Sequence, residues 1–462
     1  MGTQEPIRTD GGNVAGTLAG DPPDLLRSYR GIPYASPPVG DLQWRPPQPA
    51  SPWPGVLDCT NFRTHAAQSG LDGPPLSGSE DCLYLNVVTP ARTAGARLPV
   101  LVWLHGGGYT IGGANSLLGQ SPRLPGHGVV LVIVSMRLGA LGLLAHPLLS
   151  AESPRRVSGN YMHLDMIAAL RWVHGNIAAF GGDPENVTII GQSGGGAKVA
   201  NLMVLPLAGG LFHKAICESG TAAAGFFPGS PLSEMEAIGE RIFRELRVRT
   251  LEEARSLPWE EVLDASIRTG DFRLMDSSVD GWFLPDFPEN IFAAGRQHPV
   301  PFILCANLGE VTPGAATYVF PTLMAGYLNM LRGANLAGVK GYACLFDQVP
   351  AGWRSKGVSA IHAMELTYVF GDWDDSLGEW VNTWELAKAA FPNRGVPRDP
   401  GLTATDRRVS EAVMGLWTSF TRNEHPEAPG RVAWSPWNAE SDNYLCLTDP
   451  LTERKGFSRK SV

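Results

Sequence analysis

Short apolar runs alternate along the chain with longer segments whose apolar residues recur every three or four positions. The apolar runs predict buried β-strands at 98–104, 129–136, 186–191, 214–219, 300–306 and 342–348. Helical periodicity lies at 164–180, 198–205 and 234–247, and a last helix and a short strand are predicted at 405–422 and 443–447. Strands that alternate with helices indicate βαβ units, so the predicted fold class is α/β with a central, mostly parallel, twisted sheet.

Two segments between predicted strands do not fit a simple alternation. The charged helical stretch 234–275 and the stretch 313–340 predict helical caps over the sheet. We therefore expect one domain over residues 1–462, with cap-like insertions near 225–285 and 313–340.

One apolar stretch, 129–149, is as long as a membrane span. It carries Arg137 at its middle and also contains His146 and Pro147. A charge at the centre of a membrane helix is costly, so this stretch predicts a buried strand followed by a turn.

Composition narrows the class of protein. A chain with 44% hydrophobic and 18% charged residues is typical of a soluble globular protein. The net charge of −8 and the lack of long basic runs argue against nucleic acid or an anionic membrane as partners. The first 20 residues lack the basic start and apolar run of a secretory signal. A cytoplasmic location is expected, or a secreted or periplasmic one if a signal peptide has been removed.

The six cysteines are scattered, without a C-x-x-C pair or a Cys/His cluster at metal spacing. We expect neither a metal nor another cofactor. Buried free thiols are the favoured interpretation, and a Cys59–Cys82 bridge is the alternative.

The stretch GQSGGG, residues 191–196, joins a predicted strand to a predicted helix and crowds Ser193 with four glycines. It fits G-x-S-x-G, in which a sharp turn exposes a strained serine hydroxyl. Because a serine hydroxyl is a poor nucleophile, it needs a base that takes its proton. The motif alone is weak, but its place between strand and helix makes Ser193 a candidate nucleophile.

A second glycine run ends an earlier strand, in WLHGGGYT (103–110). Residues without side chains let backbone N–H groups approach a ligand, so two of these groups with that of Gly194 could bind an oxyanion. The base should follow the serine in the chain, and His213, His298, His362 and His425 all do. Glu310 is placed to orient a base, but spacing alone selects neither it nor one histidine.

Several longer motifs resemble those of the type-B carboxylesterases, a family of α/β-hydrolase fold that includes cholinesterases and bacterial carboxylesterases. They are YRGIPYASPPVGDLQWRPPQP (29–49), SEDCLYLNVVTP (79–90), LHGGG (104–108), FGGDPENVTIIGQSGGG (180–196) and HAMELTYVFG (362–371). The resemblance covers nearly the whole chain, with the motifs in the family's order.

The resemblance implies roles for individual residues. Ser193 matches the nucleophile, His362 the general base and Glu310 the acid, since NLGEV is similar to the family's N-x-x-E-G. The matches to the oxyanion donors are Gly107, Gly108 and Gly194. Beyond these, the resemblance implies a polar group around the centre made of Gln192, Ser219 and Glu365, and a structural ion pair of Arg137 with Asp165.

Departures from the family pattern are also informative. Gln192 replaces the usual glutamate, which puts less negative charge beside the histidine. Ala66 stands where a partner for Cys82 is usual, and Gln43 replaces the arginine that meets Glu80. The stretch 61–81 has no tryptophan, which argues against a quaternary-ammonium substrate.

The interval of 52 residues between Glu310 and His362 is shorter than in most relatives. It predicts a reduced cap and a wide pocket, with apolar walls from Tyr109, Ile111, Phe226 and Phe227. The predicted function is a serine carboxylesterase for small-molecule esters, with bulky natural-product or fumonisin-type mycotoxin esters as the expected class. The alternatives are a non-catalytic cholinesterase-like interaction domain and an amidase or carbamate hydrolase with the same triad. The sequence leaves the oligomeric state unknown.

Overall fold

The computed structural model describes most of the chain. The described residues are 5–19, 25–70, 73–115, 122–225, 227–271, 273, 276–310, 319–371, 379–427, 432 and 434–461. Within them the strands are β1 (Ile7–Thr9), β2 (Gly12–Ala15), β3 (Thr17–Ala19), β4 (Leu26–Pro33), β5 (Val56–Asp58), β6 (Gln68–Gly70), β7 (Gly73–Ser77), β8 (Tyr84–Thr89), β9 (Leu98–Leu104), β10 (Val130–Val134), β11 (Gly182–Gln192), β12 (Lys214–Glu218), β13 (Ser230–Pro231), β14 (Ser278–Val279), β15 (Phe302–Asn307), β16 (Gly341–Phe346), β17 (Asn443–Leu447) and β18 (Thr452–Lys455).

The helices of the same residues complete the order of elements. They are α1 (Arg123–Gly126), α2 (Gly139–Leu143), α3 (Pro147–Glu152), α4 (Tyr161–Asn176), α5 (Gly194–Leu202), α6 (Leu232–Leu246), α7 (Leu251–Arg255), α8 (Trp259–Thr269), α9 (Pro288–Ala293), α10 (Val319–Ala337), α11 (Ala351–Arg354), α12 (Glu365–Val369), α13 (Glu379–Ala390) and α14 (Ala404–Asn423).

The main sheet has the strand order β18-β17-β16-β15-β12-β11-β9-β10-β8-β4-β3. Its seven central strands, from β17 to β10, pair in parallel, and the strands outside them pair antiparallel. The six apolar runs that predicted buried strands all lie in this parallel part. The prediction of an α/β fold with a mostly parallel sheet is therefore confirmed.

Both faces of the sheet are covered. Along β9, Val100 and Val102 point into one apolar core, and Leu101 and Trp103 point into another. The first core includes residues of α4, α5 and α10, and the second includes residues of α12 and α14. Parallel strands buried on both faces read as continuous apolar runs, which is why the sequence pattern located them.

The stretch 129–149 folds as β10 followed by the short helix α2. Arg137 lies between them and pairs with Asp165 at 2.6 Å, with both side chains at most 3% exposed. In the described part of the chain, no helix is both long and apolar enough to cross a membrane.

The stretch expected as one cap contains α6, α7 and α8. These helices pack against residues 140–149 in a third, smaller apolar core that also includes Trp44. α6 begins with Leu232 and is strongly amphipathic, so one of its faces is buried here and the other meets solvent.

The other expected cap piece, 313–340, needs a correction. Its described part, α10, lies on the sheet, since the Tyr327 hydroxyl donates to the carbonyl oxygens of Cys217 and Cys305 on β12 and β15. Tyr327 and Leu331 are fully buried in the core on that face. The mixed polar and apolar sequence of α10 reflects a helix that flanks the sheet, while residues 313–318 lie outside the described residues.

The six cysteines all lie among the described residues, where they are buried and form no disulfide. Ala66 and Cys82 line one small cavity together with Gln43 and Glu80. Gln43 Nε2 donates to Glu80 Oε1 at 2.7 Å. The glutamine amide therefore makes the contact with Glu80 that belongs to an arginine in the family pattern.

Candidate active site

The carboxyl ends of four neighbouring parallel strands bring the candidate residues together. Gly191 on β11 is paired with Leu104 on β9, and Gln192 is paired with Glu218 on β12. Glu218 is in turn paired with Cys305 on β15. Each strand is followed at this edge by one predicted site segment, which is where ligands bind in open α/β sheets.

Ser193 stands at the turn from β11 into α5. Its backbone has φ 58° and ψ −126°, which is a strained conformation for a residue with a side chain. Its N–H donates to the carbonyl of Glu218 at 2.8 Å, and its carbonyl accepts the N–H of Ala197 at 3.1 Å. These bonds hold the strained residue in place, and its side chain remains partly exposed.

Glycines around Ser193 are required by space. A Cβ on Gly191 would lie 2.5 Å from the carbonyl carbon of Gly195, and a Cβ on Gly220 would lie 1.8 Å from the Ser193 carbonyl oxygen. Real Cβ atoms do not approach backbone so closely. The glycine crowding that drew attention to GQSGGG is therefore a packing requirement of the turn.

His362 and Glu310 meet at this edge although 52 residues separate them. Nδ1 of His362 donates to Oε2 of Glu310 at 2.7 Å, and the Glu310 side chain is fully buried. Glu310 Oε1 accepts the N–H of Asn307 at 2.8 Å. Because Nδ1 carries the proton, Nε2 of the neutral imidazole is an acceptor.

Burial by itself would lower the pKa of His362, but the charge and hydrogen bond of Glu310, with a smaller effect of Glu365, raise it above its usual value. Gln192 Nε2 lies 3.4 Å from His362 Nε2. The amide therefore faces the side of the ring that a nucleophile must use.

The loop after β9 lies beside Ser193. A Cβ on Gly106 would be 3.5 Å from the Cβ of Ser193, and one on Gly194 would be 2.1 Å from the carbonyl oxygen of Gly108. Gly107 and Gly108 have φ angles of 86° and 60°, which glycine adopts without strain. In the described residues neither of their N–H groups has an acceptor. Free backbone donors beside a serine are the arrangement that an oxyanion hole needs.

The expected polar group forms in part. Ser219 Oγ donates to Glu365 Oε1 at 3.1 Å, but Gln192 contacts His362 and is not bonded to that pair. Burial raises the pKa of Glu365 to about 7, with Glu310 adding to the shift. Burial also raises the pKa of Glu218 well above its usual value, and Glu365 contributes to that shift.

Asn307 was missed as a member of this group. Its side chain donates to Glu365 Oε2 and approaches Ser219 Oγ at 3.4 Å, while its backbone N–H holds Glu310. It is the asparagine of the N-x-x-E motif, and that spacing was the signal that could have identified it. Lys198, fully buried on α5, was also missed because nothing in the sequence separates it from a surface lysine.

The expected pocket residues have different environments. Tyr109 is a correction, because it is fully buried, its hydroxyl accepts from Asn201 at 2.7 Å and it exposes no surface to a ligand. Phe227 stacks on Tyr109 with ring centroids 4.4 Å apart and is partly exposed. Ile111, also partly exposed, packs against Gly107. Phe226 lies outside the described residues.

Among the described residues, no group of three or more histidine, cysteine or acidic side chains is arranged to hold a metal ion.

The sheet, the strained serine at its centre and the paired histidine and glutamate define the α/β-hydrolase class. Superposition on solved structures of known proteins indicates the same class. Carboxylesterase EST55 of Geobacillus stearothermophilus superposes with a TM-score of 0.80 at 26% identity, over 99% of this chain and 100% of that one. Two structures of PNB esterase also superpose. One gives a TM-score of 0.77 at 27% identity over 97% of both chains, and the other gives 0.78 at 26% identity over 99% of both chains.

Sequence comparison identifies the family. The model of the carboxylesterase family matches residues 3–324, so this chain belongs to that family and is a carboxylic ester hydrolase. Mouse carboxylesterase 1E is 37% identical over 507 residues, covering 94% of this chain and 88% of that protein. Fumonisin B1 esterase of Sphingopyxis macrogoltabida is 38% identical over 307 residues, covering 65% of this chain and 55% of that protein.

Proposed function

We propose that the chain hydrolyses carboxylic esters with Ser193 as nucleophile, His362 as general base and Glu310 as the acid that orients the base. The observation that carries this proposal is the 2.7 Å bond between His362 Nδ1 and Glu310 Oε2 at the strand edge where Ser193 is exposed. That bond fixes the tautomer in which Nε2 can accept a proton.

The steps follow from these roles. Ser193 Oγ attacks the ester carbonyl carbon while its proton passes to Nε2 of His362. The oxyanion is bound by the N–H groups of Gly107, Gly108 and Gly194. The imidazolium then gives the proton to the leaving alkoxide, and an acyl-serine remains. Water, deprotonated by His362, attacks the acyl carbon. Collapse of the second oxyanion releases the acid while the imidazolium returns its proton to Ser193 Oγ, which restores both residues.

The triad is tested with a fluorophosphonate, which phosphonylates an activated serine with loss of fluoride. We expect Ser193→Ala to abolish labelling and to lower kcat by about 10⁴-fold or more. Ser256→Ala, at an exposed serine, is the matched control and should leave both unchanged. Label on another serine, or turnover retained in Ser193→Ala, would contradict the assignment.

For the substrate, we infer bulky esters. Support comes from the interval between Glu310 and His362, where the described elements α10, β16 and α11 all contribute side chains to the two cores that cover the faces of the sheet. Ile111 and Phe227 are partly exposed and offer apolar surface beside the oxyanion loop. The similarity to fumonisin B1 esterase is in keeping with a polyester natural product as substrate.

This inference is tested with esters of one alcohol and growing acyl groups, and then with one acid and growing alcohols. Bulky esters should show the higher kcat/KM, because remote contacts can be used at the transition state. Matched anilides should react far more slowly if the enzyme is an esterase rather than an amidase. A sharp preference for acetyl esters would contradict the wide pocket.

A further inference from the structure

Beneath the oxyanion loop lies a buried lysine that the steps above do not use. Lys198, on the second turn of α5, has no exposed surface. Its Nζ donates to the carbonyl oxygen of His105 at 2.9 Å and to that of Gly108 at 3.0 Å. The ammonium also lies 5.5 Å from the centre of the Tyr109 ring, within cation–π range. All of these contacts are made with residues 105–109.

The three carbonyl groups of the glycine run each have a donor. That of Gly106 accepts from His105 Nδ1 at 2.9 Å, that of Gly107 from the N–H of Ile111 at 3.1 Å, and that of Gly108 from Lys198. In a trans peptide the N–H points opposite to the carbonyl of the same unit. The Gly106 and Gly107 carbonyls share peptide units with the N–H groups of Gly107 and Gly108, so their bonds to His105 and Ile111 set the direction of these two donors. The carbonyls that Lys198 binds belong to the peptide units on either side, so Lys198 fixes the two ends of the donor segment.

We propose that Lys198 is a positioning residue for the oxyanion hole. Its two hydrogen bonds fix the loop through the His105 and Gly108 carbonyls, and its ammonium group places a positive charge behind the oxyanion donors. The proposal rests on the proposed function, since it presupposes Ser193 and the glycine donors. Gly194, the third donor, packs closely against the same carbonyl. A Cβ on Gly194 would lie 2.1 Å from the Gly108 carbonyl oxygen that Lys198 binds.

The surroundings of Lys198 hold few charges. The titratable side chains facing it are His105, His163 and Tyr109, and burial together with the Lys198 charge lowers the pKa of both histidines to about 3. Burial lowers the pKa of Lys198 itself to about 7. Its ammonium form is therefore present below that pH and is lost as the pH rises through it, with no compensating carboxylate bonded to it among the described residues.

Two substitutions separate the charge from the hydrogen bond. Lys198→Met removes both, and Lys198→Gln keeps a donor but no charge. We expect Lys198→Met to lower kcat about 10- to 100-fold with KM changed less than about threefold, and Lys198→Gln to fall between it and the wild type. Affinity for a trifluoromethyl ketone, whose adduct with serine mimics the oxyanion, should fall in parallel with kcat/KM.

The pH profile gives a readout that a merely structural residue would not move. Stabilisation by the ammonium should fade above about pH 7 in the wild type, giving kcat an alkaline limb that both variants lack. The matched control is Lys214→Met, since Lys214 is also buried but donates to Asn186 at 2.5 Å at the opposite end of the sheet strands. It should leave kcat and the pH profile unchanged.

Either of two results would overturn the role of Lys198: kcat and ketone affinity within twofold of wild type in both variants, or a loss confined to KM. If Lys198→Met does not fold, Lys198→Gln alone decides between these outcomes. Fluorophosphonate labelling of Ser193 in each variant separates the two proposals. Ser193 that labels normally, with unchanged turnover in the Lys198 variants, removes only this inference, whereas unlabelled wild-type Ser193 removes the proposed function.

Discussion

Oε2 of Glu310 lies 2.7 Å from Nδ1 of His362, and this carboxylate is the main reason that the histidine pKa is raised despite its burial. A base works only when it is neutral. The proposed catalytic activity should therefore fall as the pH drops through the raised pKa of His362. This pair links the geometry of the site to a measurable pH dependence.

Glu310→Gln is the first prediction. The amide keeps the shape but removes the charge, so burial dominates and the pKa of His362 should fall. We expect the acidic limb of kcat/KM to move to lower pH and kcat to fall about 10³- to 10⁴-fold, because the amide no longer fixes the productive tautomer. Steady-state rates across pH measure both effects. An acidic limb at the wild-type position would show that another carboxylate sets the pKa.

Gln192→Glu should shift the same limb in the opposite direction. Gln192 Nε2 is 3.4 Å from His362 Nε2, so a carboxylate there adds a negative charge beside the imidazolium and raises its pKa. The limb should move up by about one pH unit. An unchanged pH profile would mean that residue 192 points away from His362 in solution.

The buried pair Glu218 and Glu365 should make stability depend on pH. Both carboxyl groups have raised pKa values, so the folded state binds their protons more tightly than the unfolded chain does. Their contribution is fully present below the unfolded pKa, near 4.5, and is lost as the pH rises through the folded values, about 7 for Glu365. Oε2 of Glu218 has no partner among the described residues, so no donor at that oxygen offsets the cost of ionising the buried acid.

Glu218→Gln mimics the neutral acid and keeps the acceptor for Trp417 Nε1, which donates to Oε1 at 2.6 Å. The variant should melt about 2–4 °C above the wild type at alkaline pH and show a flatter dependence of Tm on pH. Calorimetry or circular dichroism between about pH 5 and 8 measures this. The exposed Glu440→Gln is the control, and equal slopes in Glu218→Gln and wild type would count against a protonated Glu218.

Gly220→Ala should distort the nucleophile turn. The new Cβ would lie 1.8 Å from the carbonyl oxygen of Ser193, and backbone cannot yield cheaply there. We expect a loss of about 1–3 kcal/mol in unfolding free energy and at least a tenfold fall in kcat. Gly95→Ala is the matched control, because a Cβ there meets nothing within 4 Å. Normal activity in Gly220→Ala would show that the turn can relax.

By itself the sequence determined the sheet and the nucleophile turn. Parallel strands buried on both faces are apolar throughout, so their runs were visible at 98–104 and at the five later apolar runs up to 342–348. The glycines around Ser193 were equally visible, because the turn leaves no room for Cβ atoms. Both signals are local in the chain, which is why pattern alone could reveal them.

Only the tertiary structure decided which distant groups meet. His362, 52 residues from Glu310, could not be chosen among four histidines by spacing, because no local pattern encodes a contact made by the return of the chain to one sheet edge. The same reason explains why α10 was misread as a cap and Tyr109 as a pocket wall, because the sequence does not distinguish an apolar side chain in a core from one that lines a pocket. In the sequence Lys198 looks like any lysine on a helix. It is buried only because the oxyanion loop packs over it.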